Sequence, residues 1–283
     1  MYKIPPLGGR PLIIPVMWRS GKFHGSSLRR LIHTVPNLDL QPSLGVPGLF
    51  SAKGLDVAWF QFQKHCLDNL NQLLLEAPEY TGQDFESTSS VMIASLQHAS
   101  TDRRSREIAR WSSLAYANEF FFQSLGPERR KAVDGQSTNN LNVSTIPEPP
   151  EDKFGLSNSM QEFCTKINYS FDSQQAMKQL VISRGSSMFG NGYLWMVESA
   201  DKLHILNTYN WGTPHSTRAQ ESSGDNSFVE IGHNNVINSF RPLMAISAWQ
   251  HTFLTDYGVA GKALFVENVF DTIDWDRVVN RLK

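Results

Sequence analysis

The chain has 283 residues, 40% of them hydrophobic and 19% charged, enough apolar material for one large core or two smaller ones. No apolar run approaches the roughly 18 residues that a membrane-spanning helix needs, which excludes such a helix. The two cysteines, Cys66 and Cys164, lack Cys-x-x-Cys spacing, which argues against a disulfide framework and for a reducing compartment.

The net charge of −1 conceals an asymmetry. Residues 1–38 carry Lys3, Arg10, Arg19, Lys22, Arg29 and Arg30 and no acid, whereas the remaining residues hold 20 bases against 27 acids, a net −7. Serines lie among these bases, and Leu28, Leu31 and Ile32 form an apolar stripe beside Arg29 and Arg30. This composition predicts a mitochondrial transit peptide over 1–38, the alternative being a retained, disordered basic arm.

Residues 39–50 are punctuated by Pro and Gly and read as an extended lead-in. Ser51 is placed to cap a helix. From there Leu55, Trp59, Phe62, Cys66, Leu70 and Leu73 recur at spacings of three and four, predicting a long amphipathic helix that ends near Ala77-Pro78. A polar stretch and a short helix over 89–98 follow. Arg103, Arg104 and Arg106 open a second long helix, with Ile108, Trp111, Ala115, Asn118 and Phe122 on one face, which stops at Gly126-Pro127. The helical hairpin domain therefore covers 39–127. Residues 128–152 have little apolar content and read as a flexible linker or insertion.

Beyond the linker, 157–170 and 173–184 read as helices. Residues 193–198 and 203–209 read as a β-hairpin, and 243–249 as a third strand. Between them lies a polar excursion over 215–240, and the chain closes with helices over 261–268 and 274–282. The expected class is α+β: a helical hairpin, then a C-terminal α+β domain over 153–283 with a three-stranded antiparallel sheet.

Five segments, in order, resemble the iron/manganese superoxide dismutases. Ser51-Ala-Lys-Gly-Leu through Lys64-His65 and Asn69-Leu70-Asn71 is similar to the family's first helix. Phe120-Phe121-Phe122 through Leu125-Gly126-Pro127 resembles the end of its second. Phe189-Gly190-Asn191-Gly192-Tyr193-Leu194-Trp195 resembles Phe-Gly-Ser-Gly-Trp-x-Trp, and Asn210-Trp211-Gly212-Thr213-Pro214 resembles Asn-x-Gly-Thr-Pro. Trp249-Gln250-His251 with Asp256-Tyr257 resembles Trp-Glu-His-x-x-x-x-Asp-Tyr. The resemblance implies that family's fold over about residues 42–283.

It also implies a metal held by three His and one Asp. Placed motif by motif, those ligand positions fall on Ala58, Asn118 and Ser247, with only His251 retained. The helix face that carries the family's first ligand and two further polar groups reads Ala58, Phe62, Cys66. Apolar bulk has replaced polarity there, and Phe62 is placed to fill the room left at Ala58. A methyl, an amide and a hydroxyl do not replace imidazole and carboxylate as ligands for manganese or iron. His65 shares the face with Ala58 but lies about 10 Å along the axis. His98, His204, His215 and His233 have no metal-ligand spacing, and neither a phosphate loop nor a Gly-x-Ser-x-Gly elbow is present. The chain is therefore expected to have no cofactor and not to be an enzyme, the alternative being a dismutase-type metalloenzyme with an altered metal site.

A dismutase-like chain with a mitochondrial address and no metal site resembles the superoxide dismutase-like proteins of the fungal mitochondrial small ribosomal subunit, which pair with each other. That implies a structural role in the mitochondrial ribosome through protein contacts, with local rRNA contact at Arg103, Arg104 and Arg106 or at Arg129, Arg130 and Lys131. In the dismutases the Glu-His pair bridges two subunits. Here the pair is Gln250-His251, and a neutral Gln weakens a symmetric bridge, so the expected partner is a related, non-identical chain.

Overall fold

The computed structural model describes residues 33–38, 40–80, 82–127, 158–215 and 240–282. Most of the basic N-terminal segment, the linker over 128–152, nearly all of the excursion over 215–240 and His233 lie outside the described residues.

Ser51 caps the first helix as its position predicts, its Oγ accepting from the Gly54 N–H at 3.0 Å. Helix α1 (Ala52–Leu55) continues through a π-helical segment, Asp56–Gln61, into α2 (Phe62–Leu74). The apolar periodicity predicts an uninterrupted α-helix; instead the chain takes wider turns where Ala58 lies, a feature that recurs at functional sites.

Helix α3 (Thr88–His98) is capped by Ser87 and α4 (Arg103–Gln123) by Asp102, whose carboxylate accepts from the Ser105 N–H at 2.6 Å. Both α2 and α3 pack on α4. Two members of the arginine cluster fasten this unit. Arg104 Nη1 donates to the Glu76 carbonyl at 2.8 Å, just beyond α2, and Arg106 Nε donates to the Ala99 carbonyl at 2.9 Å, at the end of α3. Each satisfies a carbonyl that the helix end leaves open.

After α5 (Asn158–Phe171) and α6 (Gln174–Ser187) come strands β1 (Gly192–Ser199), β2 (Lys202–Tyr209) and β3 (Arg241–Ser247). The order is β2-β1-β3, antiparallel throughout. Ala200 and Asp201 both have positive φ, at 48° and 63°, the backbone sense that closes a two-residue hairpin. Central β1 is buried on both faces over Gly192–Val197, which explains its unbroken apolar run. The β1–β3 register shifts between Met196 and Val197, where Pro242 opposes Val197. An edge strand with a bulge tolerates a residue that has no N–H to donate.

Helices α7 (Gln250–Tyr257), α8 (Lys262–Thr272) and α9 (Trp275–Asn280) close the chain. One apolar cluster runs from Leu55, Ala58 and Trp59 through Phe121 and Phe122 to the sheet, α8 and α9. A second, around Cys66, Leu70, Val91 and Ile108, fills the upper helical unit. The helical part therefore shares the core of the sheet domain at its base. Ser51 ties the start of α1 to α7: its N–H and Oγ both meet the Asp256 carboxylate, at 3.0 and 2.6 Å. Gly54 makes this approach possible, because a Cβ there would lie 1.8 Å from Asp256 Oδ2.

Candidate functional site

The sequence-predicted positions converge where the first helix, α4, β1, β3 and the start of α7 meet. Asn118, on α4, turns its side-chain amide towards the Ala58 carbonyl, with Nδ2 at 3.4 Å. Phe62 stacks on His251, the ring centroids 3.9 Å apart and the planes 23° from parallel. Trp249 lies against both, at 5.8 Å from Phe62 and 5.6 Å from His251. Ser247 ends β3, pairs across the strand with Tyr193 and exchanges a hydrogen bond of 2.8 Å with the Thr252 hydroxyl. Gln250 is exposed on the outer side of the same turn, and its N–H donates to Asn191 Oδ1 at 3.3 Å.

The replacement of polarity by apolar bulk is incomplete. Ala58 and Cys66 are wholly buried and Phe62 is half-buried, as the apolar face predicts. Between them, however, lies a fully buried amide pair. Asn118 Nδ2 donates to Gln63 Oε1 at 3.0 Å, and Gln63 Nε2 donates to the Ala115 carbonyl at 3.1 Å. The two amide nitrogens each find an acceptor, which offsets much of the cost of burying them, while Asn118 Oδ1 is left without a donor. Gln63 is the residue that pattern reading missed. The available signal was a lone polar residue on the buried stripe, four positions after Trp59 and four before Leu67.

Burial sets the electrostatics. It pushes the His251 imidazole down to about 4, so that the ring is neutral near pH 7. It pushes the Cys66 thiol up to about 12, against a smaller opposing effect of Arg110, and raises the Tyr193 hydroxyl with help from nearby Cys66. None of these groups is poised to exchange a proton near neutrality. The Asn118 Oδ1 and His251 Nε2 atoms are buried without a hydrogen-bond partner.

The donor set does not fit manganese or iron. Ala58 offers a methyl group, the Asn118 amide is committed to Gln63, and the Ser247 hydroxyl is engaged by Thr252. One neutral imidazole remains, and it is covered by the Phe62 ring. Among the described residues, no three His, Cys, Asp or Glu side chains come together to hold a metal ion. The other described histidines do not supplement the site. His65 meets the edge of Trp111, and His215 Nε2 lies 3.2 Å from the Tyr116 hydroxyl.

Comparison with known proteins bears on the same region. Residues 159–281 match the family model described as iron/manganese superoxide dismutases, C-terminal domain. The chain has the iron/manganese superoxide dismutase fold. It is homologous to the small ribosomal subunit protein mS43 of Schizosaccharomyces pombe, 26% identical over 259 residues that cover 88% of this chain and 84% of that one. It also matches mS42 of the same organism, 28% identical over 197 residues, 66% of this chain and 71% of that one. The superoxide dismutase [Mn/Fe] of Rickettsia bellii is 22% identical over 250 residues, 88% of this chain and 92% of that one. Among the described residues, the dismutase fold is thus retained without a metal-binding site.

Proposed function

We propose that this chain is a structural protein of the mitochondrial small ribosomal subunit, supporting translation through contacts with neighbouring proteins and without dismutase activity. One pairing of observations carries the reading. The chain matches a small ribosomal subunit protein over 88% of its length, and the position where dismutases hold their metal offers a methyl, an amide, a hydroxyl and one shielded imidazole. The acid-free, basic start of the sequence supports the mitochondrial address. The net −7 beyond residue 38 favours protein neighbours over broad rRNA contact, since extensive phosphate binding needs a basic surface.

Gln250, His251 and the exposed Leu254 one turn later form the proposed partner surface, and the partner is a related, non-identical chain. Sedimentation of a mitochondrial lysate through a sucrose gradient tests the assignment. The tagged protein is expected to travel with the small subunit, and a peak confined to the top of the gradient overturns it. Metal analysis tests the competing enzyme reading, which stoichiometric manganese or iron in the purified protein would restore. Stable homodimers as the sole assembled form would remove the heteromeric partner.

A further inference from the structure

Beside the degenerate site, a cavity of about 280 Å³ opens between α4 and the turn after β2. It is lined by the half-buried Trp211 and Trp249 and by the buried Leu114. Arg106, Glu107 and Arg110 from α4 and Asn210 from the turn after β2 complete the lining. We infer that this cavity binds an unstacked nucleotide of single-stranded RNA, the base lying against the indoles and the phosphate meeting the two arginines.

The chemistry of each wall points to the same ligand. A base is flat and apolar on its faces, and indole rings offer matching surfaces whatever its sequence. Arg106 and Arg110 are one helical turn apart, so their side chains rise from the same face of α4. Arg106 is held in direction by the carbonyls of Ala99 and Ser100, at 2.9 and 3.3 Å, and Glu107 is the one carboxylate residue among those lining the cavity. Arg110 has a loose, exposed pairing with Glu107 at 3.7 Å, and such a pair is readily exchanged for phosphate. Asn210 sits at positive φ, 54°, and carries both a donor and an acceptor at the rim, the complement that a base edge presents. The volume is too small for a peptide helix.

The inference rests on the small-subunit reading for the class of polymer, and deepens it by naming the point of contact. The test uses the full chain and a short fluorescein-labelled single-stranded RNA, followed by polarisation and by ultraviolet cross-linking with mass spectrometry. Binding is expected, with the cross-link at Trp211 or Trp249. Trp211→Ala and Arg110→Glu should each weaken it about tenfold, in line with the loss of one stacked base or one phosphate contact. Arg110→Glu lies at an exposed position and keeps the test valid should Trp211→Ala fail to fold. Unchanged affinity in a folded variant, equal binding of a duplex of the same sequence, or equal competition by a polyglutamate peptide overturns the inference. Gradient sedimentation of the wild type separates the two claims. Co-migration without RNA binding removes the nucleotide pocket alone, while Trp211-dependent RNA binding without co-migration removes the subunit assignment alone.

Discussion

Asn118 and Gln63 form a buried amide pair, with Asn118 Nδ2 donating to Gln63 Oε1 at 3.0 Å, where the iron/manganese dismutases are expected to place a metal ligand. The pair joins α4 to α2 and continues to the Ala115 carbonyl.

Removing one member should cost more than removing both. Gln63→Leu removes the shorter of the two hydrogen bonds of Asn118 Nδ2 and leaves it the 3.4 Å contact with the Ala58 carbonyl, and an expected loss is about 1–3 kcal/mol. The Gln63→Leu, Asn118→Leu double variant should lose less than the sum of the singles, because no amide is then stranded. Urea unfolding of the four proteins in the cycle measures this; strict additivity would contradict it.

His251 makes stability depend on pH in a defined direction. Its folded value is lowered to about 4 by burial, against about 6.5 in the unfolded chain. Between those values the unfolded chain binds the extra proton, so stability is full above about pH 6.5 and falls as pH drops towards 4. The contribution of this one group is up to about 3 kcal/mol. His33, His204 and His215 are lowered by burial too and act in the same sense. Thermal melts from pH 4 to 8 should show that slope, and His251→Phe should flatten it.

A histidine introduced at Ala58 should not confer metal binding. Ala58 has no exposed surface, and an imidazole there overpacks the cluster around Trp59 and Phe122, at about 1–3 kcal/mol. Asn118 and Ser247 remain poor donors. Ala58→His is therefore expected to melt earlier than the wild type and to carry less than stoichiometric manganese or iron on elemental analysis.

The tie between Ser51 and Asp256 is sensitive to one methyl group. Gly54→Ala would place a Cβ 1.8 Å from Asp256 Oδ2 and displace the carboxylate from the Ser51 N–H and Oγ. The expected loss is about 1–3 kcal/mol, from the cap bond and the strain together. Asp256→Ala should give a similar loss, and the two changes combined should be less than additive in chemical denaturation.

The arginines that open α4 illustrate where sequence reading stops. A run of Arg103, Arg104 and Arg106 reads equally as a solvated face or a phosphate site. Only the packing of α2 and α3 on α4 brings the Glu76 and Ala99 carbonyls within reach of two of them. Likewise Trp211 reads as one residue of a turn motif until the sheet and α4 bring it to the same cavity as Arg110.

The sequence alone determined the element order, the Ser51 cap and the β1–β2 hairpin, because periodicity, capping and turn chemistry are local. It also determined that Ala58 cannot ligate a metal, since side-chain identity decides that without geometry. The π-helical segment, the Gln63–Asn118 pair, the stacking of Phe62 on His251 and the cavity between Trp211 and Trp249 were decided by the tertiary structure. The pair, the stack and the cavity depend on residues far apart in the chain meeting at a fixed distance, and no local pattern encodes that distance.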